Sequence, residues 1–266
     1  MIRLHPPGTW CSHQTVFDLL RRPLAGKTFV EVGCGAGYLA AKLCAAGMTG
    51  FGVDFSSLAI EAARRNLAAE IARGQIRVHQ GDIADTDSAP ADLCLSMMVM
   101  EHVQDDAGFV RTLCRLTKPG GQVLIGVPGR PDCWGIEDET AGHFRRYTRQ
   151  CLRRLLLDAG LRQVRVISSS VPVSNALFGV GEALMKRSAE VRKKALSLRE
   201  QTETSGLQEI PYKTLFPAWC GLLLNRLTML PFTFGQKFFY HTDLGLNLVA
   251  TGIKAQAPGS RYRSAS

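Results

Sequence analysis

The sequence predicts an α/β domain: a doubly wound, seven-stranded, mostly parallel sheet with a helical cap inserted before its last strand. Three observations carry this prediction. Up to about residue 168, short β-rich runs alternate strictly with helical patterns. The strand runs are apolar nearly throughout, as strands covered on both faces must be. The first strand-to-helix junction, "FVEVGCGAGYLA" at 29–40, carries glycines at alternate positions, where a parallel α/β sheet meets its ligand.

Residues 1–27 read as an N-terminal helix or lid segment, in which Trp10 either closes over the pocket or packs on the first helix. The α/β domain proper spans 28–169. Its strands fall at 28–33, 50–54, 75–80, 91–96, 122–127 and 163–168, and its helices at 38–46, 56–73, 105–116 and 148–159. Ser56 and Thr148 are the residue types that accept a hydrogen bond from a helix's first free N–H groups, and Gly160 can take the left-handed conformation that ends one. The rhythm then changes. Residues 170–246 form the cap, opening with an amphipathic helix over 176–200 that places Leu177, Val180, Leu184, Val191, Ala195 and Leu198 on one face, with a blank at Ser188. The apolar stretch 215–234 is interrupted by Pro217, Asn225, Arg226 and Pro231. It is therefore far short of the roughly 18 unbroken apolar residues of a membrane span. Residues 247–256, beginning "NLVATGIK", supply the last strand, and 257–266 read as a disordered tail.

A bare glycine loop also fits a tight turn with no ligand, so its neighbours decide. A dinucleotide fingerprint requires a third glycine where Tyr38 stands. Glu31, two residues before Gly33, would repel a pyrophosphate and welcome an amine or sulfonium. Asp54 ends the second strand in "FGVDFS", about twenty residues on, where a carboxylate can accept both ribose hydroxyls. Asp82 follows the third strand in "HQGDIAD", with Ile83 beside it, an acceptor and an apolar face suited to adenine. Together they describe adenosine with a cationic, amino-acid-like tail.

On these residues the chain resembles the class I S-adenosylmethionine-dependent methyltransferases, in the small-molecule branch that includes the ubiquinone-biosynthesis O-methyltransferases. The likeness covers 29–127 through "VEVGCGAG", "GVDFS", "GDIAD", "ADLCLSMMVMEHVQD" and "LTKPGGQVLIGVP". It implies a Rossmann-like sheet whose last strand is antiparallel, S-adenosylmethionine as cofactor with S-adenosylhomocysteine as product, and a pocket lined by Glu31, Gly33, Gly35, Asp54, Phe55, Asp82, Ile83 and Met97. Beyond about residue 150 the likeness thins to "HFRRYTRQCLRRLLLDAGL", and 170–246 departs from it. Joining the sixth strand to an antiparallel seventh, the cap emerges on the cofactor edge and is placed to form the acceptor pocket.

Methyl transfer from a sulfonium is an in-line displacement in which geometry supplies much of the rate. A hydroxyl or ammonium acceptor must also lose a proton, and two histidines are candidates for that work. His102 lies in "MEHVQD" beyond the fourth strand, either at the lip of the site or capping the next helix. His143 lies in "EDETAGHFRRYT" after the fifth strand, as a base or as a brace for that loop. Some quinone O-methyltransferases carry E-x-x-E-H at the first place, but Met98 stands where the first Glu would be, so no metal is expected.

The formal charge of +9 concentrates in two segments, with seven arginines in 145–165 and six Lys and Arg in 186–199. It raises an RNA methyltransferase as an alternative. No RNA-binding module and no N/D-P-P-Y motif accompany it, and nucleic acid is not the expected partner. A non-catalytic scaffold is the third reading, which the intact loop, Asp54 and Asp82 oppose. The expected partner is a small-molecule or lipid-like acceptor, with peripheral membrane contact and a homodimer through the 176–200 helix as further expectations. Eight cysteines without a CxxC pair and an N-terminus without a secretory signal point to the cytoplasm.

Overall fold

The computed structural model describes residues 2–83, 88–188, 212 and 214–256. In chain order its strands are β1 (Ile2–Arg3), β2 (Thr28–Val32), β3 (Thr49–Asp54), β4 (Ile76–Gln80), β5 (Ala91–Met97), β6 (Thr117–Pro128), β7 (Leu161–Ser169), β8 (Leu215–Phe216) and β9 (Asn247–Lys254). Seven of them form one sheet in the order β4-β3-β2-β5-β6-β9-β7, while β1 and β8 make a separate two-stranded ladder. Neighbours from β4 to β6 are parallel. β9 runs antiparallel to both its neighbours, setting Ala250 opposite Ile125 on one side and Val166 on the other. The last strand of the sheet is thus "NLVATGIK", and the preceding segment leaves and re-enters on the carboxyl edge of the parallel strands.

The helices are α1 (Pro7–Leu19), α2 (Tyr38–Ala45), α3 (Ser57–Asn66), α4 (Ala68–Ala72), α5 (Asp106–Arg115), α6 (Ile136–Ala141), α7 (Arg149–Asp158), α8 (Val173–Arg187) and α9 (Leu230–Gly235). Strand alternation divides the apolar residues between two layers. Val30, Val32, Cys94, Val123 and Ile125 pack with Val110 and Leu113 of α5 and Leu152 and Leu156 of α7. Phe29, Leu93, Leu95 and Leu124 face the other way, onto Val16 of α1, Leu39 and Leu43 of α2 and Ala63 of α3. Each such large side chain stabilises the fold by about 1.5–3 kcal/mol on full burial. Ser56, Asp105 and Thr148 cap α3, α5 and α7 by accepting from Ala59 N, Gly108 N and Cys151 N. Gly160, at φ 83°, takes the left-handed turn that ends α7.

Several elements differ from the sequence expectation. The helix expected over 56–73 breaks at Leu67 (φ −105°, ψ 15°), because this fully buried residue turns in beneath Gly37. The helix expected over 176–200 begins earlier and ends at Arg187. Ser188 is extended, and its N–H and hydroxyl both bond to Met185 O. Residues 189–200, with Val191, Ala195 and Leu198, lie outside the described residues, as does the tail at 257–266. The expected apolar face is also not the packed one, since Leu177 and Val180 are exposed and Met185 is buried. α6, β1 and β8 were not legible in the sequence.

Candidate cofactor and acceptor site

The loop between β2 and α2 is built on backbone that only glycine adopts readily. Gly33, Gly35 and Gly37 all have positive φ, at 73°, 52° and 78°. A Cβ on Gly33 would collide with Val99, and one on Gly37 would meet Leu67 at 2.6 Å, so these two hold the loop against its neighbours. Above Gly35 there is no atom within 4 Å of a Cβ position. The loop therefore presents bare backbone to open space there, which suits the close approach of a ligand.

Beneath this loop two carboxyl groups converge. Glu31 is 3 % exposed on the α2 side of the sheet, and its Oε2 is buried with no hydrogen-bond partner. Burial, and then the charge of Asp54, push its pKa up to about 8, against a hydrogen bond from the Ala40 backbone. Asp54, at the end of β3, accepts from Gly35 N at 2.9 Å through Oδ2 and from Ser56 N at 3.0 Å through Oδ1. Burial raises its pKa, and these two backbone hydrogen bonds oppose the rise. A cationic ligand group would satisfy the orphaned Glu31 oxygen and favour ionisation of both acids. The residues present fit an aminoacyl-adenosine cofactor.

The other expected cofactor residues are placed as follows. Phe55 follows Asp54 with its ring part exposed. Asp82 is exposed just beyond β4, and Ile83 turns into the α5-side core. Met97 ends β5 and lies over Gly126 of β6. The next residue, Met98, has φ 57°, an unfavourable backbone for a side chain of its kind, at the turn that leads to His102.

A cluster of basic and aromatic residues between α1 and α2 was not anticipated from the sequence. His13 Nδ1 of α1 lies 2.9 Å from Lys42 Nζ of α2, and Lys42 Nζ stands 4.8 Å above the Trp10 ring. His5 packs edge-on against Tyr38, the first residue of α2, at 4.5 Å between ring centroids. Burial, followed by the Lys42 charge, lowers His5 to about 4 and His13 to about 3, and burial lowers Lys42 as well. Lys42 forms no salt bridge among the described residues, and Trp10 Nε1 is buried without a partner. Trp10 thus sits on α1 with its ring against Lys42 of α2 and His5. Only the basic or aromatic identity of these residues was visible in sequence; their meeting depends on how α1 crosses α2.

The two candidate histidines come together at the same edge. Their rings are 4.6 Å apart and nearly perpendicular. His143 Nδ1 lies 2.8 Å from Asp138 Oδ1, and Arg146 Nε donates to both oxygens of that carboxylate at 2.8 and 2.9 Å. Burial works to raise the Asp138 pKa, but the hydrogen bonds from His143 and Arg146 outweigh it and hold it at about 2. His143 Nε2 points toward Glu101, 4.0 Å from Oε1. Glu101 is fully buried, neither of its carboxyl oxygens has a hydrogen-bond partner, and burial raises its pKa to about 7 against the pull of His143. Burial and then His143 lower His102 to about 3, against hydrogen bonds to the Gly142 and Ala141 backbone. With Met98 in place of the first Glu of E-x-x-E-H, the motif itself retains Glu101 and His102. The fold adds His143, so that Glu101, His102 and His143 bring ligand atoms within 4.8 Å of one another.

Comparison with known proteins agrees with this architecture. The methyltransferase-domain family matches residues 8–166. A ubiquinone biosynthesis O-methyltransferase of Alkalilimnicola ehrlichii is 36% identical over 110 residues, which is 40% of this chain and 44% of that protein. The chain thus matches less than half the length of such relatives. Among solved structures, the phosphoethanolamine N-methyltransferase 2 of Haemonchus contortus in complex with S-adenosyl-L-methionine shares the fold at TM-score 0.60 and 16% identity, over 94% of this chain and 54% of that one. The putative methyltransferase solved in complex with the Haloferax volcanii Trm112 activator does so at TM-score 0.56 and 18% identity, over 92% and 90% of the two chains. With its glycine loop, its ordered acidic residues and a seven-stranded sheet closed by an antiparallel strand, the chain belongs to the methyltransferase-domain family, on the fold of the class I S-adenosylmethionine-dependent enzymes.

Proposed function

We propose that this chain transfers the methyl group of S-adenosylmethionine to a small-molecule, lipid-like acceptor and releases S-adenosylhomocysteine. One observation carries the reading: the orphaned, buried carboxyl of Glu31 lies beside Asp54 under a loop that leaves open space above Gly35. Glu31 would hold the cofactor's ammonium and Asp54 its ribose. Asp82 and Ile83, with Phe55 and Met97, would flank the adenine end. Lys42 and His13 would hold the carboxylate of the methionine tail. The cofactor supplies an electrophilic methyl group on a sulfonium, with a neutral leaving group. The chain's part is to fix the acceptor in line with that bond and exclude water, which accounts for much of the rate.

His143 is the general base in this reading. Its Nδ1–H is committed to Asp138, so Nε2 carries the lone pair, and the ionised Asp138 stabilises the imidazolium once a proton arrives. His102, held neutral, positions the His143 ring edge-on. Glu101, its pKa raised by burial to about 7, completes a proton-handling cluster. The same three residues could hold a divalent cation, but the Arg146 guanidinium bound to Asp138 places a positive charge beside it, and a proton site is the better fit.

The cap supplies the acceptor side. Its apolar side chains suit a lipid-like molecule better than a nucleic acid, and an RNA acceptor is not favoured. A homodimer through α8 is the finer expectation for assembly, motivated by the exposed Leu177 and Val180; light scattering tests it. No described helix is long and apolar enough to cross a membrane. A cytoplasmic setting rests on eight unpaired cysteines and is tested by fractionation.

Calorimetry with S-adenosylmethionine, S-adenosylhomocysteine and NAD tests the cofactor, and release of S-adenosylhomocysteine in the presence of apolar hydroxyl, amine or carboxyl compounds tests the reaction. Binding of the first two ligands without NAD is the expected result. Binding of none removes the reading.

A further inference from the structure

The cap segment before β9 has an inner side that is bolted down and an outer side that is not. On the inner side Gln236, fully buried, donates from Nε2 to Cys11 O at 3.0 Å and accepts through Oε1 from Ser170 N at 3.0 Å. Tyr240 donates to Asp18 Oδ2 at 2.7 Å, and Lys237 Nζ pairs with the same oxygen at 3.0 Å. Met229 and Thr233 are buried there too. The segment is therefore fixed on α1 and the end of β7 by specific hydrogen bonds.

Its outer side is nevertheless apolar. Trp219, Leu222, Leu227, Phe234 and Phe238 are between 61 and 79 % exposed, all within twenty residues of chain, and the rings of Phe234 and Phe238 touch edge-to-face at 6.2 Å. Single exposed hydrophobic residues are ordinary, but a concentration of this kind marks a contact surface. α8 is tied to the segment by Asn175 Nδ2 donating to Leu244 O.

Charge identifies the occupant. From 211 to 242 the sequence holds no Asp or Glu at all, and Arg226 is exposed among the apolar residues, while Lys237 is turned to Asp18 on the inner side. A second copy of a chain with net charge +9 would bring like charges together at such a surface. Trp, Phe and Leu beside an exposed arginine and free of acids, on a chain of net charge +9, is a composition that lies in the interface of a negatively charged bilayer, the rings at headgroup depth and the arginine on anionic lipid. We infer that the outer side of residues 219–238 is a docking surface for an anionic lipid membrane. It sits on the carboxyl edge of the sheet, so docking would bring the acceptor side of the site to a lipid phase. In that sense it deepens the lipid-like acceptor reading, but the test does not use turnover.

The full chain is sedimented with phosphatidylcholine vesicles, with and without phosphatidylglycerol, at low and high salt. The expected result is association that requires phosphatidylglycerol, weakens with salt, and falls about tenfold or more in the Phe234→Ser, Phe238→Ser double variant. Both side chains are exposed, so the double variant should keep its thermal midpoint and its affinity for S-adenosylmethionine; Leu227→Gln serves as a second, independent variant. Lack of association with anionic vesicles, or association that neither variant reduces, overturns the inference. A dimer seen by light scattering and dissociated by the same substitutions also overturns it, because a second copy would then be the occupant. Loss of cofactor binding in the wild-type chain, with vesicle association intact, would remove the enzymatic reading and leave the docking surface standing.

Discussion

His143 Nδ1 lies 2.8 Å from Asp138 Oδ1, and Asp138 is in turn gripped by Arg146 through both of its oxygens. With Asp138 ionised, this contact favours the tautomer that carries its proton on Nδ1, and the proposed function makes Nε2 the proton acceptor. His143→Ala should lower kcat by about 10²–10⁴-fold with cofactor affinity unchanged, the usual worth of a positioned base. Asp138→Asn should flatten the pH profile of kcat as well as lowering it. A His143→Ala enzyme that keeps full kcat from about pH 6 to 9 would show that the imidazole only braces its loop.

Glu31 is held largely protonated at neutral pH by its burial and by Asp54. A bound ammonium would draw its pKa down. S-adenosylmethionine binding at about pH 7 should therefore release a proton, and the release should vanish near pH 9, where the carboxyl is already ionised. Calorimetry in buffers of differing ionisation enthalpy reads this directly. Equal heats in all buffers at pH 7 would separate Glu31 from the ligand's amine.

Asp54 braces Gly35 and Ser56 through its two oxygens, and the proposed function gives the same carboxylate the cofactor's ribose. Asp54→Ala should weaken cofactor binding by about 1–3 kcal/mol and should also lower the thermal midpoint of the ligand-free protein. Asp54→Asn keeps one acceptor oxygen and should fall between. An unchanged calorimetric affinity in the Ala variant would move the ribose elsewhere.

Lys42 and His13 meet with no acidic partner among the described residues. Lys42→Met should weaken S-adenosylmethionine binding by about tenfold, the contribution of one hydrogen bond to a charged group, and should affect adenosine binding little. Equal loss for both ligands would place the lysine away from the carboxylate.

The buried ionisable groups also set a pH window for stability. His5, His13 and His102 have folded pKa values of about 4, 3 and 3, below the ordinary 6.5. Their contribution is present above pH 6.5 and is lost as pH falls toward those values. Glu31 and Glu101, raised to about 8 and 7, contribute in the opposite sense, fully below 4.5 and progressively less as pH rises through 7 and 8. The thermal midpoint should peak near about pH 6 and decline on both sides. S-adenosylmethionine should relieve the alkaline limb. A midpoint that climbs steadily to pH 9 would contradict the protonated state of the two glutamates.

The cofactor half of the molecule was legible because each of its features is local. A positive φ at Gly33, Gly35 and Gly37, a carboxylate at the end of β3 and an apolar strand every few residues all leave marks within a short window of sequence. Leu67 shows where local reading stops: its helix breaks to fill space under Gly37, a contact between residues thirty apart. The acceptor half depends on such contacts throughout. His143 could be read in sequence as a base or as a brace for its loop, and only the fold sets it between Asp138, which Arg146 grips, and the buried Glu101. The cap's apolar residues gave no sign of which would be bolted inward, because Gln236 and Tyr240 find their partners on α1.

β9 occupies the slot between β6 and β7, and β7 pairs with no other strand in the sheet. Assembly therefore has an order imposed on it. While residues 247–254 are still unmade, β2 to β6 can zip together, but β7 hangs as an unpartnered ribbon with the whole cap trailing behind it. The closing strand must then thread its hydrogen bonds to both sides at once, over sequence separations from β7 that run from Ser169–Asn247 to Leu161–Lys254. Such distant pairing is slow to form and leaves sticky edges exposed in the interim. Nascent chains of this protein should lean on chaperones until that final ribbon emerges.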